Sequence, residues 1–452
     1  MNIHTCNALA AMALLALMLV PAPIRAASQV SDIRPGSWAS NPRYLTEYNN
    51  DLYFQAEDSS DNEELWTFNG TSTSLAADIR PVVSSSPADL TVFKDVLYFR
   101  ADDGVHGAEL WSFNRTQAAL VQDLNPGGSS FPQSLCVFDN ALYFNADDGI
   151  MGQELWRFDG VSISLVQDLN PLGSALPKDM TVYRNKLLFQ ATNGNTGLEL
   201  WEFNGTSARM VADIKPGFAS SEPKGFTVFN NTLYFSADDG MSGRELWSCN
   251  GSSVSRLTDI WLGLGGSYPS DLAVYDGNLY FSAGSVGTGR ELWVFNGTEA
   301  ALAADVFPGS ATSYPGQLTP FNGLLYFSAK LPFKGRELCA FDGLTVSLVD
   351  DIYLNSSSGD PQSMEVFNNS LFFSATNGVS GRELWVHGAA EPCPGDFDND
   401  LDVDGSDLAV FAADFGRTAC SYECEGDLDY DGDVDGSDLA TFAAGFGRTD
   451  CP

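Results

Sequence analysis

Apolar residues along most of this chain fall into short runs rich in aromatic and β-branched side chains, separated by Gly, Asn and Asp. That is the pattern of short strands joined by tight turns. The runs come in fours. One set is Leu-Ala-Val-Tyr at 272–275, Asn-Leu-Tyr-Phe-Ser at 278–282, Glu-Leu-Trp-Val-Phe at 291–295 and Ala-Ala-Leu-Ala-Ala-Asp at 300–305. Asn296-Gly297 and Asp342-Gly343 are turns of the hairpin type between third and fourth strands. Four strands in about 45 residues is the size of one β-propeller blade.

The sets repeat with a fixed period. Glu-Leu-Trp begins at Glu64, Glu109, Glu154, Glu199, Glu245, Glu291 and Glu383, and Glu337-Leu338-Cys339 is an eighth copy, each 45 or 46 residues from the next. A Pro stands 22 residues before each Glu, from Pro42 to Pro361, and an Ala eight before, from Ala56 to Ala375. The last unit stops at Glu-Leu-Trp-Val-His, 383–387, without a fourth strand, whereas Ser-Asp-Ile-Arg-Pro-Gly at 31–36 matches a fourth strand standing alone. The expected fold is therefore mainly β: an eight-bladed β-propeller closed by an N-terminal strand, which leaves no bare sheet edge.

Beyond 390 the pattern changes. Residues 391–452 hold 17 Asp/Glu against two Arg, within a chain of net charge −36. Two copies lie 31 residues apart: Cys-Pro-Gly-Asp-Phe-Asp-Asn-Asp-Leu-Asp-Val-Asp-Gly-Ser-Asp at 393–407 and Cys-Glu-Gly-Asp-Leu-Asp-Tyr-Asp-Gly-Asp-Val-Asp-Gly-Ser-Asp at 424–438, each leading into a helical segment. Asp at loop positions 1, 3, 5 and 9, a carbonyl at 7 and a carboxylate at 12 wrap a hard cation in oxygen. This predicts two calcium ions. Asp396, Asp398, Asp400 and Asp407 would hold one, with Asp402 at the carbonyl position and Asp404 acting directly or through water. Asp427, Asp429, Asp431 and Asp438 would hold the other, with Asp433 and Asp435 in the matching places. Leu401 stands at position 6, where a sharp turn suits Gly, so the first site is expected to be the weaker. Cys393 and Cys420 are as far apart as Cys424 and Cys451. One disulfide within each copy is the simplest pairing, and Cys393 to Cys451 with Cys420 to Cys424 is the alternative.

Residues 7–20, NALAAMALLALMLV, followed by Pro-Ala-Pro-Ile-Arg-Ala, read as a secretory signal covering 1–27. The expected organisation is thus a signal at 1–27, a propeller at 28–390 and a calcium-binding module at 391–452, in a protein that is secreted or at the cell surface. No later run reaches the length of a membrane helix. The acidity disfavours nucleic acid, whose phosphates need basic surface, and an exported chain permits disulfides.

Two resemblances sharpen this. Ala101-Asp-Asp103-Gly-Val-His-Gly107-Ala-Glu109-Leu-Trp111 resembles the tryptophan-docking motif of eight-bladed quinoprotein dehydrogenases, and the repeats resemble the ELW-type (ELWxxDGT) repeats of secreted bacterial proteins. Both imply a propeller with Trp packed between blades. The dehydrogenases' adjacent half-cystines are missing here. The tail resembles a type I dockerin, which implies paired calcium loops and a cohesin partner. Gly405-Ser406 and Gly436-Ser437 stand where dockerins carry their recognition pair, usually Ser-Thr.

Residues present in all blades are expected to serve all blades: Glu109 accepting backbone amides, Asp123 closing a loop, Trp111 filling the wedge. Function is expected where copies differ, on the face formed by the blade connections and the hairpins between second and third strands. Trp38, Phe131, Trp261, Tyr268, Phe307 and Tyr314 place aromatics there, either to stack on sugar rings or to cover the ends of the blades. His106 and His387, the two histidines beyond the signal, adjoin no nucleophile motif, so no catalytic constellation is evident; a carboxylate pair of the glycosidase kind is a matter of spatial geometry. The leading expectation is a secreted adhesion or scaffold protein, with the propeller as platform and the tail docking to a partner. The alternatives are a polysaccharide-binding or polysaccharide-degrading component of an extracellular complex, and a surface protein with a calcium-stiffened stalk.

Overall fold

The computed structural model describes residues 26–388, 395, 397, 402–418, 424, 426–428 and 432–447. Residues 26–388 form eight four-stranded antiparallel sheets, each built from strands consecutive in sequence apart from the last. In the second blade the strands are Ala88–Phe93, Val96–Asp102, Ala108–Phe113 and Ala118–Gln122. The first three strands of the sixth blade run somewhat longer than the apolar runs, Ser270–Tyr275, Asn278–Ser285 and Gly289–Phe295, and the fourth, Ala300–Ala304, stops one residue short. The first strands of neighbouring blades touch one another, so they line the middle of the ring.

The ring closes as expected, but through a shorter strand placed further upstream. Ser28–Gln29 pairs with Arg382–His387, Ser28 opposite Val386 and Gln29 opposite Trp385, and completes the sheet of the eighth blade. The segment 31–36 lies beyond that strand and forms the connection into the first blade. The reason lies in the repeat itself: in the first blade the fourth strand, Thr73–Ala77, ends just before Asp78, the counterpart of Asp32.

The wedges between blades hold the core. Phe54, Phe99, Phe144, Phe189, Phe235, Phe281, Phe327 and Phe373, one per blade, are fully buried. The Ala at the fixed place before each Glu is buried too, leaving room for the neighbouring blade. Trp111 packs with Tyr48, Tyr53 and Leu65 of the preceding blade, the interblade docking that the motif implied. Trp156 and Trp247 donate their indole N–H to the carbonyls of Ala146 and Ala237. Cys339 replaces Trp in the seventh blade and is wholly buried, its thiol pushed up to about 12 by desolvation.

Every first strand carries a register shift near its start, with one residue at positive φ: Tyr44, Asp89, Ser134, Asp179, Gly225, Asp271, Gln317 and Ser363. Such a bulge bends and twists the strand, here at the mouth of the central channel.

The described part of the tail contains two helices, α1 (Gly405–Asp414) and α2 (Gly436–Gly445). No described helix is long and apolar enough to cross a membrane.

Candidate functional site

The eight repeated glutamates fasten the connections between blades. Glu109 accepts hydrogen bonds from Leu124 N–H, Ser130 N–H and the Ser130 hydroxyl, gripping both ends of the loop that leads to the third blade. Glu64, Glu199, Glu245 and Glu291 repeat the arrangement. Glu383 applies it to the N-terminal segment, through Ile33 N–H, Ser40 N–H and the Ser40 hydroxyl. These carboxylates are part of the scaffold.

Burial raises most of them, and the gripping hydroxyl opposes the shift. In the third blade Ala175 replaces the serine, in the seventh Gly359 does, and Glu154 and Glu337 are pushed up to about 7. Glu383 keeps Ser40 but also reaches about 7, chiefly through burial and with the Asp32 charge adding to it. A folded-state value above the ordinary 4.5 means that the folded state holds the proton more tightly than the unfolded chain. The contribution is complete below about 4.5 and is lost as pH rises through about 7. The melting temperature of the propeller should therefore fall across that window. Ala175→Ser should reduce the fall by restoring a hydroxyl donor to Glu154. Thermal scans from pH 4 to 8 check both, and a melting temperature that climbs through the window would contradict the assignment. Gly359 offers no such remedy, since a Cβ there would meet Glu337 Oε2 at 2.6 Å.

The paired acids of the hairpins serve as turn formers. Asp103 Oδ1 accepts from Val105 and His106 N–H, Asp148 from Ile150 and Met151, and Asp239 from Met241 and Ser242. Where Asn193 or Asn377 stands instead, it makes the same bonds. This is ordinary Asx-turn chemistry. His106 is held against Asp103 at 2.7 Å, and His387 is buried beside the Tyr326 hydroxyl.

Of the aromatics anticipated on the connecting loops, Trp38, Phe131, Tyr268 and Tyr314 are about half exposed or more, and Trp261 is 38 % exposed. Phe307 lies lower, with Lys330 Nζ 5.8 Å from its ring centre. Trp261, Tyr268 and Tyr314 border one cavity of about 490 Å³. A second, of about 470 Å³, shares Tyr268 and Tyr314 with it and opens at the mouth of the central channel.

That second cavity reveals residues that the repeat reading passed over. The residue before the glutamate is Arg in the last four blades, Arg244, Arg290, Arg336 and Arg382, and Glu63, Ala108, Gln153 and Leu198 in the first four. Nine residues before the glutamate, the last four blades carry Ser236, Ser282, Ser328 and Ser374, where the first four carry Gln55, Arg100, Asn145 and Gln190. The two positions change together because they share space: each arginine lies across its serine and donates to that serine's carbonyl. A longer side chain on the second strand would fill that path.

In the tail, the same construction appears twice. Asp404 caps α1, accepting from Ser406 N–H, while Asp407 accepts from Asp404 N–H and reaches back to Phe397 N–H at 2.6 Å. Asp435 and Asp438 repeat this at α2, with Leu428 N–H in the place of Phe397. One carboxylate oxygen each from Asp402, Asp404 and Asp407 lie within 4.8 Å of one another, and so do those of Asp433, Asp435 and Asp438. Carboxylates so close repel unless a cation lies between them, and their hard oxygen donors suit a divalent ion. Gly405, Ser406, Gly436 and Ser437 open the two helices.

The halves pack as twins. Phe411 and Phe442 stack 5.0 Å apart over Val403 and Val434. Gly416 N–H donates to Val434 O, and Gly447 N–H donates to Val403 O, the same bond 31 residues on. Asp396, Asp398, Asp400, Asp429, Asp431 and Leu401, and likewise Cys393, Cys420 and Cys451, lie outside the described residues. Cys424 is disulfide-bonded; the pairing of the tail cysteines falls outside the described residues. Cys136, Cys249 and Cys339 are free thiols, and burial raises all three.

No family model matches the chain, and no curated protein does. Among solved structures it is similar to the computationally designed Ika8 protein, at 16 % identity and a TM-score of 0.49, over 78 % of this chain and 98 % of that one. It is also similar to a structure from a study of two prolyl endopeptidases, at 9 % identity and 0.48, over 76 % of this chain but only 55 % of that one. A third is the β-propeller domain of the Trilobed protease from Pyrococcus furiosus, at 11 % identity and 0.41, over 69 % and 97 %.

Proposed function

We propose that this is an exported binding protein whose propeller presents a ligand face and whose tail, a dockerin-like module at 391–452 loaded with two calcium ions, docks it to a partner. The observation that carries the reading is the twinned tail: two Asp triplets, each drawn together at the start of a helix, with the helices packed through a shared Phe core. A helix start favours negative charge there, and a calcium ion among the three carboxylates would offset their mutual repulsion. The ELW-type repeats supply the platform, and the dockerin-like recognition positions are Gly405-Ser406 and Gly436-Ser437. Because these depart from the usual Ser-Thr, the partner is a cohesin-type or other surface protein.

The test is a pull-down from the host's surface and secreted fractions with the full chain as bait, run with calcium and with chelator. A partner captured only with calcium supports docking. Capture that ignores calcium would refute it.

The exposed aromatics of the propeller face support saccharide as its ligand, and on that reading the protein is a component of a polysaccharide-binding or polysaccharide-degrading assembly. A glycan array probed with the full chain tests this, and silence across neutral and acidic glycans would remove it.

A further inference from the structure

The chain carries a net charge of −36, and against that background the cavity at the channel mouth is cationic. Lys224, Arg244, Arg290 and Arg336 line it, against the two carboxylates of Asp271 and Asp360. The ion pairs leave this charge unevenly spent. Arg244 pairs with Glu222 at 3.1 Å. Arg336 and Arg382 share Asp360, at 3.7 and 2.9 Å. Arg290, between them, makes no ion pair among the described residues. It donates to the carbonyls of Ser267 and Ser282 and to the Ser282 hydroxyl, neutral acceptors that fix the guanidinium, while the Asp271 carboxylate acts on it through space without an ion-pair contact. Burial makes its charged form costly enough to depress its pKa, which is the state an incoming anion would relieve.

Two tyrosines flank this arginine. Tyr268 and Tyr314 enter the sixth and seventh blades, and both border both cavities, as Arg290 does. They are 53 % and 56 % exposed, and both are held at positive φ, 52° and 50°, in loops tied to the scaffold by backbone bonds to Arg244 O and Arg290 O. Trp261 continues the aromatic surface in the second cavity. A guanidinium fixed in a partly dry site is a fork for a planar or tetrahedral oxyanion, and exposed aromatic faces beside it suit the apolar face of a pyranose ring.

We infer that the cleft between the sixth and seventh blades binds an acidic saccharide, with Arg290 taking the carboxylate or sulfate group and Tyr268 and Tyr314 the sugar rings. This rests on the saccharide reading of the propeller face and narrows it to one side of the ring. The first four blades, with Gln, Asn or Arg where the last four have Ser, cannot build the same row of arginines.

The experiment is calorimetric titration of the full chain, in calcium, with tetragalacturonate as the carboxylate probe, a sulfated carrageenan tetrasaccharide as the sulfate probe and cellotetraose as the neutral control. At least one acidic probe should bind more than tenfold tighter than cellotetraose. Arg290→Gln should weaken that binding at least tenfold. Because Arg290 also holds backbone carbonyls, Tyr314→Ser, at an exposed side chain, gives a second test and should weaken binding several-fold with an unchanged melting temperature. Cellotetraose binding as tightly as the acidic probes, indifferent to Arg290→Gln, would overturn the acidic assignment while leaving the saccharide reading intact. Acidic binding that both variants leave unchanged would overturn the site. Silence from all three probes would overturn the inference, and an equally silent glycan array would also remove the reading beneath it.

Discussion

Replacing Glu383 with alanine is expected to weaken the propeller far more than the same change at Glu291. Locally the two cost much the same. Each leaves one N–H without its acceptor, Ile33 in one case and Val306 in the other, while Ser40 and Ser313 lose the carboxylate but keep bonds to the carbonyls of Arg382 and Arg290. An unsatisfied donor costs about 1–3 kcal/mol when buried, so the local loss is of similar size in the two variants. The difference lies in connectivity. The Glu291 loop joins two blades covalently and remains beside its blade when the hydrogen bonds go. The segment held by Glu383 lies ahead of the first blade, fastened to the eighth blade by a strand of two residues and the bond from Val30 N–H to Leu384 O, and to the seventh by Ala27 N–H to Asp350. Once it detaches, the strand Arg382–His387 becomes a bare sheet edge. Thermal denaturation of the two variants should show a clearly larger drop for Glu383→Ala. Limited proteolysis should remove residues before Ser40 from that variant alone. Equal drops would mean that closure contributes little to stability.

The second large effect is expected in the tail. Asp438 is fully buried and holds Leu428 N–H and Asp435 N–H, one with each oxygen. Asp438→Ala should therefore remove the capping box of α2 and the tie between that helix and the loop before it, together with one of the proposed calcium ligands. A lost cap costs about 0.5–2 kcal/mol, and the two orphaned amides add to it. The damage should spread to α1, because Val403, Phe411, Val434 and Phe442 form one small core. Calcium bound per chain should fall from two to one or none, and the loss of helix should show in far-ultraviolet circular dichroism. Asp438→Asn, which keeps one acceptor oxygen, should fold better than Asp438→Ala and still bind calcium poorly. A variant that binds two ions as the parent does would remove Asp438 from the ligand set.

The features common to all blades were legible in the sequence because repetition isolates them. Glu109, Trp111 and Ala101 keep their spacing in a pattern that only a shared structural role explains, and the structure gives each that role. The closing strand was placed a few residues too far along. A strand of two residues has no period of its own, so only the alignment of Asp32 with Asp78 could have located it. The arginine row escaped for a different reason. Its signal is a paired change, Ser with Arg in the last four blades against a longer residue with Glu, Ala, Gln or Leu in the first four, and that becomes visible only once the two positions are known to share space. The cleft itself joins Tyr268, Arg290 and Tyr314 from separate loops and strands of adjoining blades, a juxtaposition created by the ring. In the tail the Asp spacing pointed to oxygen ligands at once. That Asp407 and Asp438 also tie down the backbone ahead of them depended on the three-dimensional course of the loops.

The most direct measurement is a calcium titration of the full chain by calorimetry, repeated with Asp407→Asn and Asp438→Asn combined. The account predicts two ions per chain, the tighter at the second loop, where Gly432 sits at a φ of 98° that Leu401 in the first loop would adopt only with strain. Both should vanish in the double variant. A chain that binds no calcium, or that binds two ions equally well without Asp407 and Asp438, would contradict it.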